Sequence, residues 1–174
     1  MQLTVRKLAL AAVIAAIYAA LTMSLAPISY GMIQFRVSEV LCILPFFFPF
    51  SAWGLFIGCV LANLLSSFGI IDIVFGSLAT LLAALGTMGL GKISRERLWT
   101  KVLACLPPVV VNGVVVGAII AYSTTPDMFW AGFITNALWV AFGEFVVLYV
   151  LGLPLLIWLP KTRVFQKVKA QYMD

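Results

Sequence analysis

The sequence has no histidine and very little charge. Charged residues make up 10% of its 174 residues and hydrophobic residues 64%, whereas an average soluble domain carries roughly 25% charged residues. Mean hydropathy is +1.14. Because a soluble fold does not hide so large a share of apolar surface, lipid is the expected solvent. The composition therefore predicts an all-α integral membrane protein.

The chain also lacks the residue patterns that enzymes and metal sites need. Histidine is the commonest general base and metal ligand, and the sequence contains neither an H-E-x-x-H nor a Walker A motif. Its three cysteines lie far apart in apolar runs, where they form neither a disulfide framework nor a metal motif. We therefore expect no enzymatic activity, no metal, no cofactor and no ATP-driven transport by this chain alone.

Basic residues outnumber acidic ones by 11 to 6, an excess that would suggest nucleic acid on a soluble protein. Ten of the eleven fall into three short clusters, at 6–7, 92–101 and 161–169. Loops of membrane proteins that carry an excess of Lys and Arg lie in the cytoplasm. The pattern therefore places both termini and the central loop in the cytoplasm, with the lipid bilayer rather than nucleic acid as the partner.

Breaks in the apolar runs predict six transmembrane helices in a single domain, an even number that agrees with the charge clusters. The expected helices are 7–25, 37–50, 51–67, 72–90, 99–122 and 126–159, with a kink at Pro154. A basic tail, 160–174, follows them. A basic amphipathic surface helix is an alternative interpretation of this tail.

Small residues recur every four positions along three of these helices, a spacing that allows another backbone to approach closely. We expect the stripes of helices 3 and 5 to pack within the chain. Helix 1 carries two adjacent stripes, which leaves open whether one of them contacts a partner helix. The stripes are Ala11, Ala15 and Ala19; Ala12, Ala16 and Ala20; Gly54, Gly58 and Ala62; and Gly113, Gly117 and Ala121.

Several polar side chains interrupt the apolar runs, and polar groups within a bilayer are costly and usually face the bundle interior. The predicted topology places most of them in the outer half, close to three aromatic residues. They predict an outward-facing pocket. The polar residues are Gln34, Arg36, Glu39, Asn63, Asp72, Asn112, Asn136 and Glu144, and the aromatic ones are Tyr30, Trp130 and Trp139.

Structural roles compete with a binding role at some of these positions. Asn63 or Asn112 could join two helices by a hydrogen bond, and Trp130 could be an interfacial residue. Arg36 and Glu39 are three residues apart and could form an ion pair. A carboxylate near the bilayer midplane, such as Glu144, must be protonated, paired or bound to ligand.

Amides, carboxylates and aromatic rings in one pocket suit a flat heterocycle that forms hydrogen bonds. A carboxylate can accept two donors from a guanine-like edge, and aromatic faces can stack on the ring. Three acids, Glu39, Asp72 and Glu144, oppose the single Arg36 in this region. That excess of acid favours a ligand with a protonated amine.

Three segments, "SYGMIQFRVSEVL", "GLFIGCVLANLLSSFGIIDIVFGSLATLLAA" and "NALWVAFGE", resemble the QueT family of queuosine-precursor transporters. These are substrate-binding S components of energy-coupling factor (ECF) transporters. The resemblance covers nearly the whole chain and implies an S-component-like bundle of six helices with cytoplasmic termini, in the bacterial plasma membrane. It also implies capture of a vitamin-like substrate from outside and assembly with a T component and two ATPase subunits.

The substrate implied by the resemblance is a 7-deazaguanine: 7-aminomethyl-7-deazaguanine (preQ1), its cyano precursor (preQ0) or queuine. An A-x-x-x-A stripe of helix 1 would contact the T component, and both alanine stripes match it. Within the pocket we expect Gln34 and Glu39 to contact the ligand and Arg36 to hold Glu39 in place. The implied pocket residues are Tyr30, Gln34, Arg36, Glu39, Asn63, Asp72, Asn136, Trp139 and Glu144.

Two alternatives remain at this point. One is an S component for another small heterocycle, such as a pyrimidine or a flavin. The other is a membrane scaffold that transports nothing and retains no ligand.

Overall fold

A computed structural model of the chain describes residues 4–30 and 34–173, so residues 31–33 of the first loop and residue 174 of the predicted tail lie outside it. The described residues form helices and turns without a β-strand. The α-helices are α1 (Val5–Ser24), α2 (Ala26–Ser29), α3 (Ser51–Asn63), α4 (Ser77–Ile93), α5 (Leu98–Ala104), α6 (Leu106–Thr124), α7 (Phe129–Val146), α8 (Leu153–Trp158) and α9 (Arg163–Met173).

Within the described residues, four helical stretches are long and apolar enough to cross a membrane: Val5–Ser24, Asp72–Ile93, Leu98–Thr124 and Pro126–Lys161. Large apolar side chains point away from the bundle; the exposed fraction is 77% at Ile70 and 74% at Trp130, for example. A protein in water would bury such a surface. The chain is therefore a multi-pass membrane protein.

The two remaining apolar segments are short. The helix expected at 37–50 is a 3-10 helix, Val37–Phe46, and the helix expected at 51–67 ends at Asn63. Pro45 lies inside the first segment and cannot donate a backbone hydrogen bond. Each segment is about 20 Å long, compared with about 30 Å of hydrocarbon. The six-crossing topology therefore stays a prediction.

The long stretches contain local irregularities close to prolines and polar residues. One turn of π-helix, Asp72–Gly76, precedes α4, and a second, Val147–Gly152, joins α7 to α8. The second π turn lies directly before Pro154, where we expected a kink. A proline ring displaces the carbonyl four residues earlier, and the wider π turn accommodates that displacement.

Close packing of α1 against α3 separates the two alanine stripes of α1. A Cβ on Gly58 would lie 2.8 Å from the Ala15 carbonyl oxygen, and one on Gly54 would collide with the Ala11 carbonyl. The stripe Ala11, Ala15 and Ala19 is therefore buried against α3, whereas Ala12, Ala16 and Ala20 are exposed. Since α3 covers the face with the first stripe, only the second stripe is exposed to a partner helix.

Glycines also allow α6 and α7 to pack closely. A Cβ on Gly117 would lie 2.6 Å from Ala137 Cα, and one on Gly113 would lie 3.0 Å from Ala141 Cβ. The expectation that the stripes of the third and fifth predicted helices pack within the chain is confirmed.

The two ends of the bundle differ in chemistry. The connection between α4 and α5 and the C-terminal α9 form what we call the basic end, where Phe165 of α9 packs on Phe47 and Phe48 with ring centroids 4.8 and 5.4 Å apart. Tyr30, Phe68 and Met128 line one cleft at the other end, which we call the polar end. At the basic end, the contacts of Phe165 show that the amphipathic helix α9 packs on the bundle itself.

Candidate functional site

A set of buried polar side chains lies between the 3-10 helix, the π turn at Asp72 and helices α1, α3, α6 and α7. A polar group buried without a partner costs free energy, so the partners of each side chain decide what the cluster can do. Its members from the sequence prediction are each at most 4% exposed: Arg36, Glu39, Asn63, Asp72, Asn112 and Glu144. We call these residues the interior cluster.

Arg36 forms an ion pair with Asp72. Its Nη2 atom lies 3.5 Å from Asp72 Oδ2, and the two side chains are 4% and 0% exposed. The Arg36 guanidinium also lies over the Tyr30 ring, 5.7 Å from its centroid, in a cation–π contact. Asp72 Oδ2 accepts a second hydrogen bond from Ser66 Oγ at 2.5 Å, and the Asp72 carbonyl accepts one from Asn63 Nδ2 at 2.9 Å.

The expectation that Arg36 holds Glu39 is therefore wrong. Arg36 precedes the 3-10 helix in an extended conformation, so a spacing of three residues does not bring the two side chains together. The fold instead brings the Asp72 turn, 36 residues away along the chain, against Arg36.

Glu39 has partners for both of its carboxylate oxygens. The Tyr18 hydroxyl donates a hydrogen bond to Oε1, and Cys42 Sγ donates one to Oε2 at 2.8 Å. Thr22 and Ser38 share a further hydrogen bond of 2.6 Å between the same two elements. Helix α1 therefore holds Glu39 from one side and the 3-10 helix holds it from the other.

Tyr18 and Cys42 were not singled out in the sequence. Cys42 has the features of a small buried hydrophobe, and nothing in its neighbours indicates a hydrogen bond. Tyr18 did leave a signal, because Tyr18 and Thr22 continue the face of the buried stripe Ala11, Ala15. Polar side chains on the packed face of an otherwise apolar helix indicate a partner across the interface.

Glu144 and Asn112 form the third part of the interior cluster. Asn112 Nδ2 donates a hydrogen bond to Glu144 Oε1 at 2.9 Å and so joins α6 to α7. Glu144 also interacts electrostatically with Glu39 and Arg36, which places all three parts of the cluster within range of one another. The described partner of Glu144 is therefore an amide and not a cation.

Several polar atoms of this cluster have no partner within the described chain, at a cost of about 1–3 kcal/mol each. Four are oxygens and one is a guanidinium nitrogen: Asn63 Oδ1, Asp72 Oδ1, Asn112 Oδ1, Glu144 Oε2 and Arg36 Nε. Such a set complements a small polar molecule that offers several N–H donors and at least one acceptor.

The other predicted site residues lie outside this network. Gln34 is 2% exposed and has a φ of 49°, an uncommon backbone conformation for glutamine. Asn136 donates to the Gly132 carbonyl at 2.8 Å and lines, with Tyr30, a cleft of about 610 Å³ at the polar end.

Trp139 is 45% exposed and does not join the interior cluster. Its ring contacts Phe142, with centroids 6.2 Å apart, and Phe142 in turn contacts Phe35 at 6.5 Å. This row of three rings leads from the lipid-facing side of α7 to the residue next to Arg36. Phe35 and Phe142 are further aromatic residues near the site that the sequence prediction missed.

Replacing Gly76 with alanine is expected to destabilise the protein by about 1–3 kcal/mol. The new Cβ would collide with the Asp72 carboxylate and lie 2.9 Å from Asn63 Nδ2. Thermal unfolding in detergent measures the effect. Gly89→Ala is the matched control, because a Cβ there meets nothing within 4 Å and alanine favours a helix. Equal melting temperatures for the two variants would contradict the packing of this turn.

A multi-pass helical bundle that buries a cluster of ionisable and amide side chains has the features of a membrane transport protein. The chain belongs to the QueT transporter family, whose sequence profile matches residues 8–161. This confirms the resemblance seen in the sequence, to a family of transporters rather than of enzymes.

A similar relative is the queuosine precursor transporter QueT of Lactococcus lactis subsp. cremoris (strain MG1363). It is 41% identical over 91 residues, which cover 51% of this chain and 53% of the relative. The match thus spans about half the length of that relative. No solved structure matches this chain.

Proposed function

We propose that this protein is the substrate-binding S component of an ECF importer for a 7-deazaguanine queuosine precursor, with preQ1 as the preferred substrate. The observation that carries the proposal is the group of unpartnered atoms around Glu144, Asn112 and Arg36. The relative from Lactococcus lactis, described as a queuosine precursor transporter, supports the substrate class.

The unpartnered atoms match the edges of a 7-deazaguanine. Its ring N–H and exocyclic amine would donate to Glu144 Oε2 and Asn112 Oδ1, and its carbonyl would accept from Arg36 Nε. Because both oxygens of Glu39 already have partners, Glu144 is favoured over Glu39 for the ring edge. Asp72 Oδ1 or Glu39 would face the aminomethyl group of preQ1.

The remaining pocket residues receive supporting roles in this proposal. Tyr30 and Asn136 line the cleft at the polar end, which would be the entrance from outside the cell. Trp139 would contribute an aromatic surface beside that entrance through Phe142 and Phe35. Gln34, in its left-handed conformation, would shape the loop over the pocket, and Asn63 would position Asp72.

Purified protein is expected to bind preQ1 at least about tenfold more tightly than guanine, because the buried acids favour the protonated amine. Isothermal titration calorimetry measures both affinities. Equal affinity for the two, or tight binding of riboflavin, would overturn the substrate assignment. Mass spectrometry of small molecules that copurify addresses the alternative of a scaffold, which would retain none.

In the proposed topology six helices cross the bacterial plasma membrane and the basic end faces the cytoplasm. Three basic clusters support it, since the start of α1, the α4–α5 connection and α9 lie at one end of the bundle. Leu10 of α1 and Val168 of α9 pack on the same aromatic core.

The exposed stripe Ala12, Ala16 and Ala20 would dock on the T component, because its neighbour Ala11, Ala15 and Ala19 is occupied by α3. Replacing Ala16 with leucine is expected to abolish uptake of labelled preQ1 by cells while it leaves binding by the purified protein unchanged. A bulky residue on a small-residue stripe separates the two backbones.

Ala15→Leu is the matched control for this experiment. Its side chain would collide with Gly58 of α3, so it is expected to reduce folding and binding together. Loss of binding in Ala16→Leu would place the second stripe in the core of the monomer instead.

A further inference from the structure

A second cavity, of about 400 Å³, lies at the basic end and shares no residue with the interior cluster. Three of its side chains are cationic and one is acidic, so its lining carries an excess of two positive charges. The residues that line it are Phe47, Arg95, Glu96, Lys101, Pro160, Phe165, Gln166 and Lys169. We call it the basic cavity.

Two segments that are remote along the chain, around 95–101 and at Lys169, bring these cations together. Arg95 comes from the α4–α5 connection, Lys101 from α5 and Lys169 from α9. Thr100 Oγ1, which has one proton to donate, lies 2.7 Å from the Ser94 carbonyl oxygen and 2.6 Å from that of Arg97, and so fixes the connection. The cavity is therefore formed by the tertiary fold and not by one run of basic residues.

The opposite wall is held by α9. Phe165 is 6% exposed, and its ring lies 4.8 Å from that of Phe47. Gln166 Nε2 donates a hydrogen bond to the Pro160 carbonyl at 2.6 Å. These contacts anchor the helix that carries Lys169 beside the cavity.

The depth of the basic cavity indicates what it binds. Arg95 and Glu96 follow directly after the span Asp72–Ile93, Lys101 lies near the start of the span Leu98–Thr124, and Pro160 lies at the end of the span Pro126–Lys161. Span ends lie at the level of lipid headgroups. An anionic ligand at this depth meets both the cations and the bilayer.

A neighbouring apolar cleft of about 350 Å³ supports a lipid rather than a soluble anion. It shares Phe165 with the basic cavity, and its other walls include Leu10, Leu44 and Val168. Its lining is almost entirely apolar, which suits an acyl chain.

We propose that the basic cavity binds the phosphate of an anionic phospholipid headgroup. Lys101, Lys169 and Arg95 provide the charge, since guanidinium and ammonium groups are the usual partners of phosphate, and basic pockets between membrane helices bind anionic headgroups. The site is independent of the proposed substrate and does not require it.

The test uses the full-length protein in a neutral detergent with added dioleoylphosphatidylglycerol, dioleoylphosphatidylcholine or soluble glycerol 3-phosphate. Native mass spectrometry counts bound lipid, and thermal unfolding reports stabilisation. We expect retention of phosphatidylglycerol over phosphatidylcholine, with little effect of glycerol 3-phosphate. The double variant K101Q/K169Q should lower that preference by about tenfold.

K161Q/K167Q is the matched control, because it removes the same charge from the same end without touching the lining of the cavity. If both double variants lost the preference for phosphatidylglycerol equally, diffuse surface charge would explain it and the proposed site would be overturned. If glycerol 3-phosphate stabilised the protein as much as phosphatidylglycerol does, the ligand would be a soluble phosphate and not a lipid headgroup. Should K101Q/K169Q fold poorly, K169Q alone, on the exposed side of α9, must still lower phosphatidylglycerol retention. A variant that retains lipid but loses binding to another membrane subunit would show an acidic protein partner instead.

Discussion

Replacing Asp72 with asparagine is expected to destabilise the protein by about 3–5 kcal/mol, the usual cost of removing one partner from a buried ion pair. Asparagine keeps the shape and can still accept from Ser66, but it leaves the buried Arg36 charge without its ion-pair partner. Both side chains are almost fully buried, so solvent does not screen the loss. Unfolding in mixed detergent micelles measures the change.

Two further variants sharpen this experiment. The double variant R36Q/D72N removes both charges and is expected to be more stable than D72N alone, since the unpaired cation is gone. Asp127→Asn is the control, because Asp127 lies in an exposed turn and its loss should change stability little. Unchanged stability of D72N would show that Asp72 does not carry the charge that balances Arg36.

Replacing Glu144 with glutamine is expected to weaken preQ1 binding about 10- to 150-fold, or about 1.5–3 kcal/mol, as the loss of a charged hydrogen bond predicts. A glutamine can still accept from Asn112 through its oxygen. Its amide nitrogen, however, replaces the unpartnered Oε2 acceptor that the ligand would use. Calorimetric titration of both proteins with preQ1 measures the difference.

Folding of E144Q serves as the internal control, because removal of a buried carboxylate with one unpartnered oxygen should not lower the stability of the empty protein. The variant Glu39→Gln tests the other carboxylate that could bind the ring edge of preQ1. There the Tyr18 hydroxyl and the Cys42 thiol already occupy the carboxylate, so most of the loss should appear in stability. A larger loss of affinity in E39Q than in E144Q would reverse the proposed assignment of the two carboxylates.

The class of this protein could be predicted from the sequence because lipid exposure depends on local composition. Long apolar runs, three basic clusters and a few interrupting polar residues are visible without any tertiary contact. The same holds for burial of Glu39, Asp72 and Glu144, since a carboxylate placed among apolar residues of a membrane protein turns inward at almost any helix orientation.

The partner of each buried polar side chain, in contrast, could not be predicted from local composition. Arg36 has Glu39 three residues away and Asp72 36 residues away, and only the position of the Asp72 turn against the 3-10 helix decides between them. Tyr18 reaches Glu39 across 21 residues for the same reason. Hydrogen bonds and ion pairs act over a few ångströms, and the distance between remote segments is a property of packing.

The two alanine stripes of α1 show most simply what the sequence determines and what the packing of the helices determines. Spacing in the sequence determines that both stripes exist, because a repeat of four residues lies along one side of a helix. The rotation of α1 about its own axis decides that Ala11, Ala15 and Ala19 are buried and that Ala12, Ala16 and Ala20 stay exposed. The glycines of α3 set that rotation, since only a residue without a Cβ allows the Ala11 and Ala15 carbonyls to approach so closely.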